Sequence, residues 1–155
     1  LIKKNTDLVL RMADEGHLVC NHTVSHKDMT RYQSIEEFGA ELKELEKIYS
    51  EYTGRKIAAY YRPPEGKFSE ENLKFAQQLG YKTIFWSLAY ADWDNSNQPD
   101  PEYAYNLIID NIHNGAIILL HPTSRTNAEI LGRVIDKLRE EGYSFGTLDQ
   151  LCIEK

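Results

Sequence analysis

What this 155-residue sequence has little of sets its first boundaries. Cysteine is scarce: Cys20 and Cys152 could close at most one bridge, which excludes a disulfide-stapled scaffold and leaves the redox compartment open. Positive charge is in deficit, 18 Lys and Arg against 24 Asp and Glu, and the formal net charge of −6 argues against nucleic acid as a partner. No apolar run nears the roughly 18 residues of a membrane span. The longest, Ala116 to Leu120, ends at His121 and Pro122. A secretory leader is also missing, because the chain opens on Leu1 without a basic or apolar leader region. The expectation is of a beginning lost upstream, so this absence says nothing about location.

What is present suits one globular domain over residues 1–155, with 41% hydrophobic and 27% charged residues. One pattern recurs: an amphipathic helix, a glycine, then an apolar strand. The first helix starts after Asn5 or Thr6, is expected to bury Leu8, Val9 and Met12, and stops at Gly16 before a strand His17 to Cys20. Ser34 and Glu37 form a capping box for a second helix with a stripe of Phe38, Leu42, Leu45 and Ile48 or Tyr49, ended by Gly54 and followed by a strand Ile57 to Tyr61. Ser69 opens a third helix, with Leu73, Ala76 and Leu79 inward, and Gly80 precedes a strand Thr83 to Trp86. Asp100 caps and Pro101 begins a fourth, with Leu107, Ile108 and Ile112 inward, before Gly115 and the strand Ala116 to Leu120. Thr126 or Asn127 starts a fifth along Ile130, Leu131, Val134, Ile135 and Leu138, and Gly142 leads to a short strand Tyr143 to Phe145. Helices alternating with apolar strands mean an α/β fold with a parallel sheet. Five such strands fall short of the about eight of a closed (β/α) barrel, so the barrel is open or incomplete.

In such folds the chemistry stands at the carboxyl ends of the strands. Polar groups gather there: Asn21-His22-Thr23-Val24-Ser25-His26, then Arg62-Pro63-Pro64-Glu65-Gly66, then Asp92-Trp93, then His121-Pro122. His22 and His26 are four apart, which on a helical turn puts both imidazoles on one side, as ligands of a zinc-class cation or as two histidines that meet no metal. Asp28 and Cys20 are weak candidates for a third ligand, which otherwise lies upstream of Leu1. Arg62, stiffened by two prolines, suits carboxylate clamping or a structural ion pair. His121 ends the most apolar strand, where a histidine either fills space through hydrogen bonds or acts as acid or base. Asp92 could orient an imidazole or be a loop aspartate, and Trp93 could be an apolar wall or a core-edge residue.

Taken in order, H-T-V-S-H, R-P-P-E-G, D-W and L-L-H resemble motifs two to five of the NodB-homology polysaccharide deacetylases, carbohydrate esterase family 4. The longer stretches R-P-P-E-G-K-F-S-E, F-W-S-L-A-Y-A-D-W and L-L-H-P-T-S-R-T-N-A-E are similar to the muramic-acid deacetylases that make the muramic δ-lactam of spore cortex. The resemblance implies a distorted (β/α) barrel lacking its first strands, and a metal-dependent N-deacetylase acting on peptidoglycan in the cell envelope or outside the cell. It implies that His22 and His26 hold a divalent metal, most simply zinc, with Thr23 or Ser25 bracing their loop. Arg62 would pair with a base aspartate, Asp92 would tune His121, and His121 would be the general acid. Trp93, Pro63, Pro64 and Glu65 would line the glycan groove, although many members carry an aromatic residue at the position of Glu65. The family's first motif, T-F-D-D-G, supplies the base and the third ligand and does not occur between Leu1 and Lys155, so both are expected from an upstream segment. Rival readings are a chitin or small-amide deacetylase of the same fold, a glycan-binding module without catalysis, and a fragment that associates through an exposed sheet edge.

Overall fold

The computed structural model describes residues 1–151, and the chain divides into two compact units, 1–85 and 86–155. Cys152 lies outside the described residues. The first unit contains α1 (Thr6–Asp14), β1 (Cys20–Asn21), α2 (Ile35–Thr53), β2 (Ala58–Tyr61), α3 (Glu70–Gln78) and β3 (Lys82–Thr83). Its sheet is parallel in the order β1-β2-β3, with Tyr60 opposite Lys82 and a register shift between Cys20 and Asn21. The second contains β4 (Leu88–Ala89), α4 (Pro101–Asn111), β5 (Ile118–Leu119), α5 (Arg125–Glu140) and α6 (Leu148–Leu151), with β4 and β5 paired in parallel.

Local chemistry explains most of these boundaries. Ser34 accepts from the Glu37 N–H at 3.2 Å, Ser69 from that of Asn72 at 3.2 Å and Asp100 from that of Tyr103 at 2.9 Å, so three helices start where their capping side chains stand. Gly54 ends α2 at φ +69°, a left-handed backbone that a side chain would resist. Phe38, Leu42 and Ala76 form the first core with Met29, Tyr61 and Tyr81. Leu88, Ala104, Ile108, Ile130, Val134 and Leu138 form the second.

Several expectations fail. Leu8 and Met12 are 55% and 45% exposed, whereas Val9 is half-buried, so α1 has no fully buried residue and only part of its expected stripe is covered. Helix α5 is capped by Ser124, whose hydroxyl accepts from the Asn127 N–H at 3.1 Å, and not by Thr126 or Asn127. The strands are shorter than the apolar runs: Thr83 to Trp86 yields only Lys82–Thr83, and a separate strand at Leu88–Ala89 carries the chain toward Asp92. Tyr143 to Phe145 is not strand, because Tyr143 N–H closes the end of α5 onto the Leu138 carbonyl at 2.9 Å. No helix among the described residues is long and apolar enough to cross a membrane.

Phe38 has no exposed surface and stacks edge-on against Tyr61 with ring centroids 5.6 Å apart. Phe38→Ala should therefore destabilise the first unit by about 3–5 kcal/mol, read as a lowered urea midpoint by far-UV circular dichroism; an unchanged midpoint would contradict this packing.

Candidate active site

In the first unit the segment after β1 is neither helix nor strand. His22 and His26 do not sit on a helical turn: Thr23 and His26 take left-handed φ values of 64° and 55°, conformations that non-glycine residues hold only when their surroundings insist. The surroundings do. Asn21 is buried and donates to the Leu42 carbonyl and the Tyr81 hydroxyl, both at 3.0 Å, while its Oδ1 accepts from the Thr23 N–H. Thr23 Oγ1 accepts from the His26 N–H at 3.0 Å. Glu41 on α2 takes the Ser25 hydroxyl at 2.7 Å, the Ser25 N–H at 3.1 Å and the Tyr32 hydroxyl at 3.2 Å. Burial pulls the Glu41 carboxyl up, but the bonds from Ser25 and Tyr32 and the charge of Lys27 outweigh it and leave it below its ordinary value.

This loop sets the two imidazoles at right angles, 83° between planes, with centroids 4.8 Å apart. His22 Nδ1 lies 2.6 Å from the carbonyl oxygen of Arg62, which can only accept, so Nδ1 donates and in the neutral ring the lone pair is on Nε2. A backbone carbonyl behind the ring is the usual arrangement for a metal-ligating histidine, and on that ground the pair fits the two positions it would supply to a divalent cation. Asp28 is occupied otherwise: its Oδ1 accepts from the Thr30 hydroxyl at 2.6 Å and N–H at 3.1 Å, which hold it below its ordinary value. Cys20 Sγ lies 3.6 Å from the Leu18 carbonyl. Neither joins the histidines, and no group of three His, Cys, Asp or Glu side chains that could hold a metal occurs among the described residues.

Arg62 follows β2, and its N–H bonds the Asn21 carbonyl at 3.0 Å, so the arginine is pinned to the histidine loop through its backbone. Pro63 and Pro64 are buried and direct the chain there, whereas Glu65 is exposed at φ +56° and pairs with Lys67 at 2.7 Å.

The second unit holds a tighter constellation. Asp92 has no exposed surface. Its Oδ1 accepts from His121 Nδ1 at 2.7 Å, and its Oδ2 from the His121 N–H at 2.6 Å and from Asn127 Nδ2 at 2.6 Å. Burial pushes the carboxyl up, yet these donors prevail and hold it below its ordinary value. With Nδ1 committed to the carboxylate, Nε2 is the atom through which His121 can exchange a proton. Gln98 donates to the Asp92 and Asp94 carbonyls at 3.1 and 2.8 Å and accepts from the Ser124 hydroxyl at 2.6 Å, which ties the segment after β4 to the start of α5. Trp93, beside the buried aspartate in sequence, is 66% exposed.

Sequence reasoning missed Glu41, Gln98 and Asn127. Two of them left a signal. Glu41 stands three residues after Phe38 and four before Leu45, and Asn127 three before Ile130, so each is a polar residue in step with an apolar stripe.

The family profile described as polysaccharide deacetylase matches residues 1–84. The chain belongs to the polysaccharide deacetylase family. It is 42% identical over 154 residues to the peptidoglycan-N-acetylmuramic acid deacetylase PdaA of Bacillus subtilis, an alignment covering 99% of this chain and 58% of that protein. The solved structure of B. subtilis PdaA, a family 4 carbohydrate esterase, superposes with a TM-score of 0.91 over 97% of this chain and 64% of that one. A family 4 pseudoenzyme from Bacillus anthracis is 30% identical, with a TM-score of 0.84 over 99% of this chain and 53% of that one. The fold is thus that of the family 4 deacetylase barrels, of which this chain contributes parallel strands and covering helices.

The lowered carboxyl of Asp92 has a consequence for stability. A carboxyl whose folded value lies below its unfolded one of about 3.9 stabilises the protein above that pH and loses the contribution as acid protonates it. Asp92→Asn should remove that part of the acid slope, so that urea midpoints followed below about pH 4 fall less steeply than in the wild type.

Proposed function

We propose that the complete polypeptide carrying this chain hydrolyses the N-acetyl group of peptidoglycan amino sugars, N-acetylmuramic acid first among them. The observation that carries the reading is the buried Asp92 carboxylate on His121 Nδ1, which makes the imidazole a ready proton donor at Nε2. The likeness to PdaA supports the choice of sugar. The chain spans 58% of that relative's length, so the activity is assigned to the whole protein.

In this reading His22 and His26 hold a divalent cation, zinc by the chemistry of imidazole ligands, with a third ligand and the base aspartate expected upstream of Leu1. When bound, the cation supplies Lewis-acid polarisation of the acetyl carbonyl. The base aspartate, paired with Arg62, takes the proton of the attacking water. His121 delivers its proton from Nε2 to the sugar nitrogen as the C–N bond breaks, and Asp92 stabilises the imidazolium until then. The acetyl group leaves as acetate and the sugar keeps a free amine. Trp93 offers an exposed aromatic face to a sugar ring, and in the Pro63-Pro64-Glu65 turn, whose prolines are buried, Glu65 is the side chain that would meet the glycan. Action on peptidoglycan places the protein in the cell envelope or outside the cell, and likeness to the spore-cortex deacetylases points to sporulation.

A second reading, glycan binding without hydrolysis, is favoured by one observation, the 30% identity to the B. anthracis pseudoenzyme. Acetate release by the complete, zinc-loaded protein from muramic-acid-containing glycan and from chitin oligomers separates the two. Release from the muramic glycan is expected, and His121→Ala should slow it by roughly 10²- to 10⁴-fold with glycan binding retained. Stripping the metal with a chelator should abolish turnover and readded zinc should restore it. Release from chitin alone would overturn the choice of sugar, and binding without any acetate would establish the second reading.

A further inference from the structure

Asn127 is 6% exposed at the start of α5, and every polar atom of its amide is committed. Nδ2 donates to Asp92 Oδ2 at 2.6 Å and to the His121 carbonyl at 3.1 Å, while Oδ1 accepts from the Tyr90 hydroxyl. The orientation of the amide follows from these partners, since two acceptors face the nitrogen and a hydroxyl donor faces the oxygen.

We infer that Asn127 is the positioning residue of the Asp92–His121 pair, holding the plane of the carboxylate so that Oδ1 stays aligned on the imidazole. The inference rests on the reading of His121 as proton donor. Its physical basis is that Oδ2 carries two donors, the His121 N–H just after β5 and the Asn127 amide in the first turn of α5. Without the amide, Oδ2 keeps only the His121 N–H, and a carboxylate that has no exposed surface to recruit water turns toward a replacement donor, which takes Oδ1 off the ring. The His121 carbonyl loses its partner in the same event, which loosens the backbone that carries the imidazole.

The test uses Asn127→Ala and the isosteric Asn127→Asp. By ¹⁵N–¹H NMR the wild-type His121 should show a far-downfield, slowly exchanging Nδ1 proton, the signature of its bond to a carboxylate. Asn127→Ala should lose that signal while the dispersion of the remaining amides reports an intact fold, and kcat for acetate release should fall roughly 10- to 100-fold with KM unchanged. In Asn127→Asp the two carboxyls must share a proton, with Tyr90, Asp92 and His121 the titratable groups that face them. The protonated side chain can still donate to Oδ2, so the signal and the rate should be recovered at acid pH and lost as the pH rises. Retention of the Nδ1 signal in folded Asn127→Ala, its absence from the wild type, or failure of both variants to fold would each overturn the inference. A wild type that shows the signal yet releases no acetate would remove the hydrolase reading and leave the spectroscopic arm to decide the role of Asn127.

Discussion

A carboxylate sealed from water must collect donors or lose its charge, and Asp92 meets that requirement with three of them. Two come from His121 and one from Asn127, so the aspartate dictates where the segment after β5 and the first turn of α5 must lie. Gln98 and Ser124 extend the same network to the loop after β4. The His121 imidazole inherits its tautomer from this arrangement. The proposed proton donor and the fold share one set of satisfied hydrogen bonds, so a polar cluster can stand in the same unit as a core of Leu88, Ile108 and Ile130.

The histidine loop of the first unit obeys a comparable constraint by other means. Two non-glycine residues with positive φ, Thr23 and His26, lie within four positions, each disfavoured by about 1–3 kcal/mol. Asn21 from below and Glu41 from α2 overdetermine the backbone, and the strain is held where the two imidazoles meet. Such pre-organisation would serve the proposed cation ligands, because little ordering would remain to be done on binding.

Much of this was legible beforehand. Ser34, Ser69 and Asp100 are short-range signals read by the next turn of chain, and each caps the helix it announces. The stripes of α2, α4 and α5 likewise face the cores they imply, except that Leu131 of α5 is 45% exposed because it lies at the edge of the stripe set by Ile130, Val134 and Leu138. Leu8 and Met12 of α1 read equally well and yet lie exposed, since amphipathicity states that a face is available for burial and not what covers it. The strands differ from the apolar runs for a related reason: a run such as Ile84 to Trp86 records burial, whereas a ladder requires a partner backbone in register.

By itself the sequence determined the α/β order of elements, their caps, and the set of groups delivered to strand ends, because those depend on neighbours a few residues away. Only the tertiary structure decided that His22 and His26 meet through a left-handed loop, and that Asn127 rather than another residue of α5 reaches Asp92. These depend on donors and acceptors brought together across 29 to 40 positions of chain, as in His121 with Asp92 and His22 with Arg62, and pairing over such separations is set by packing and not by local pattern.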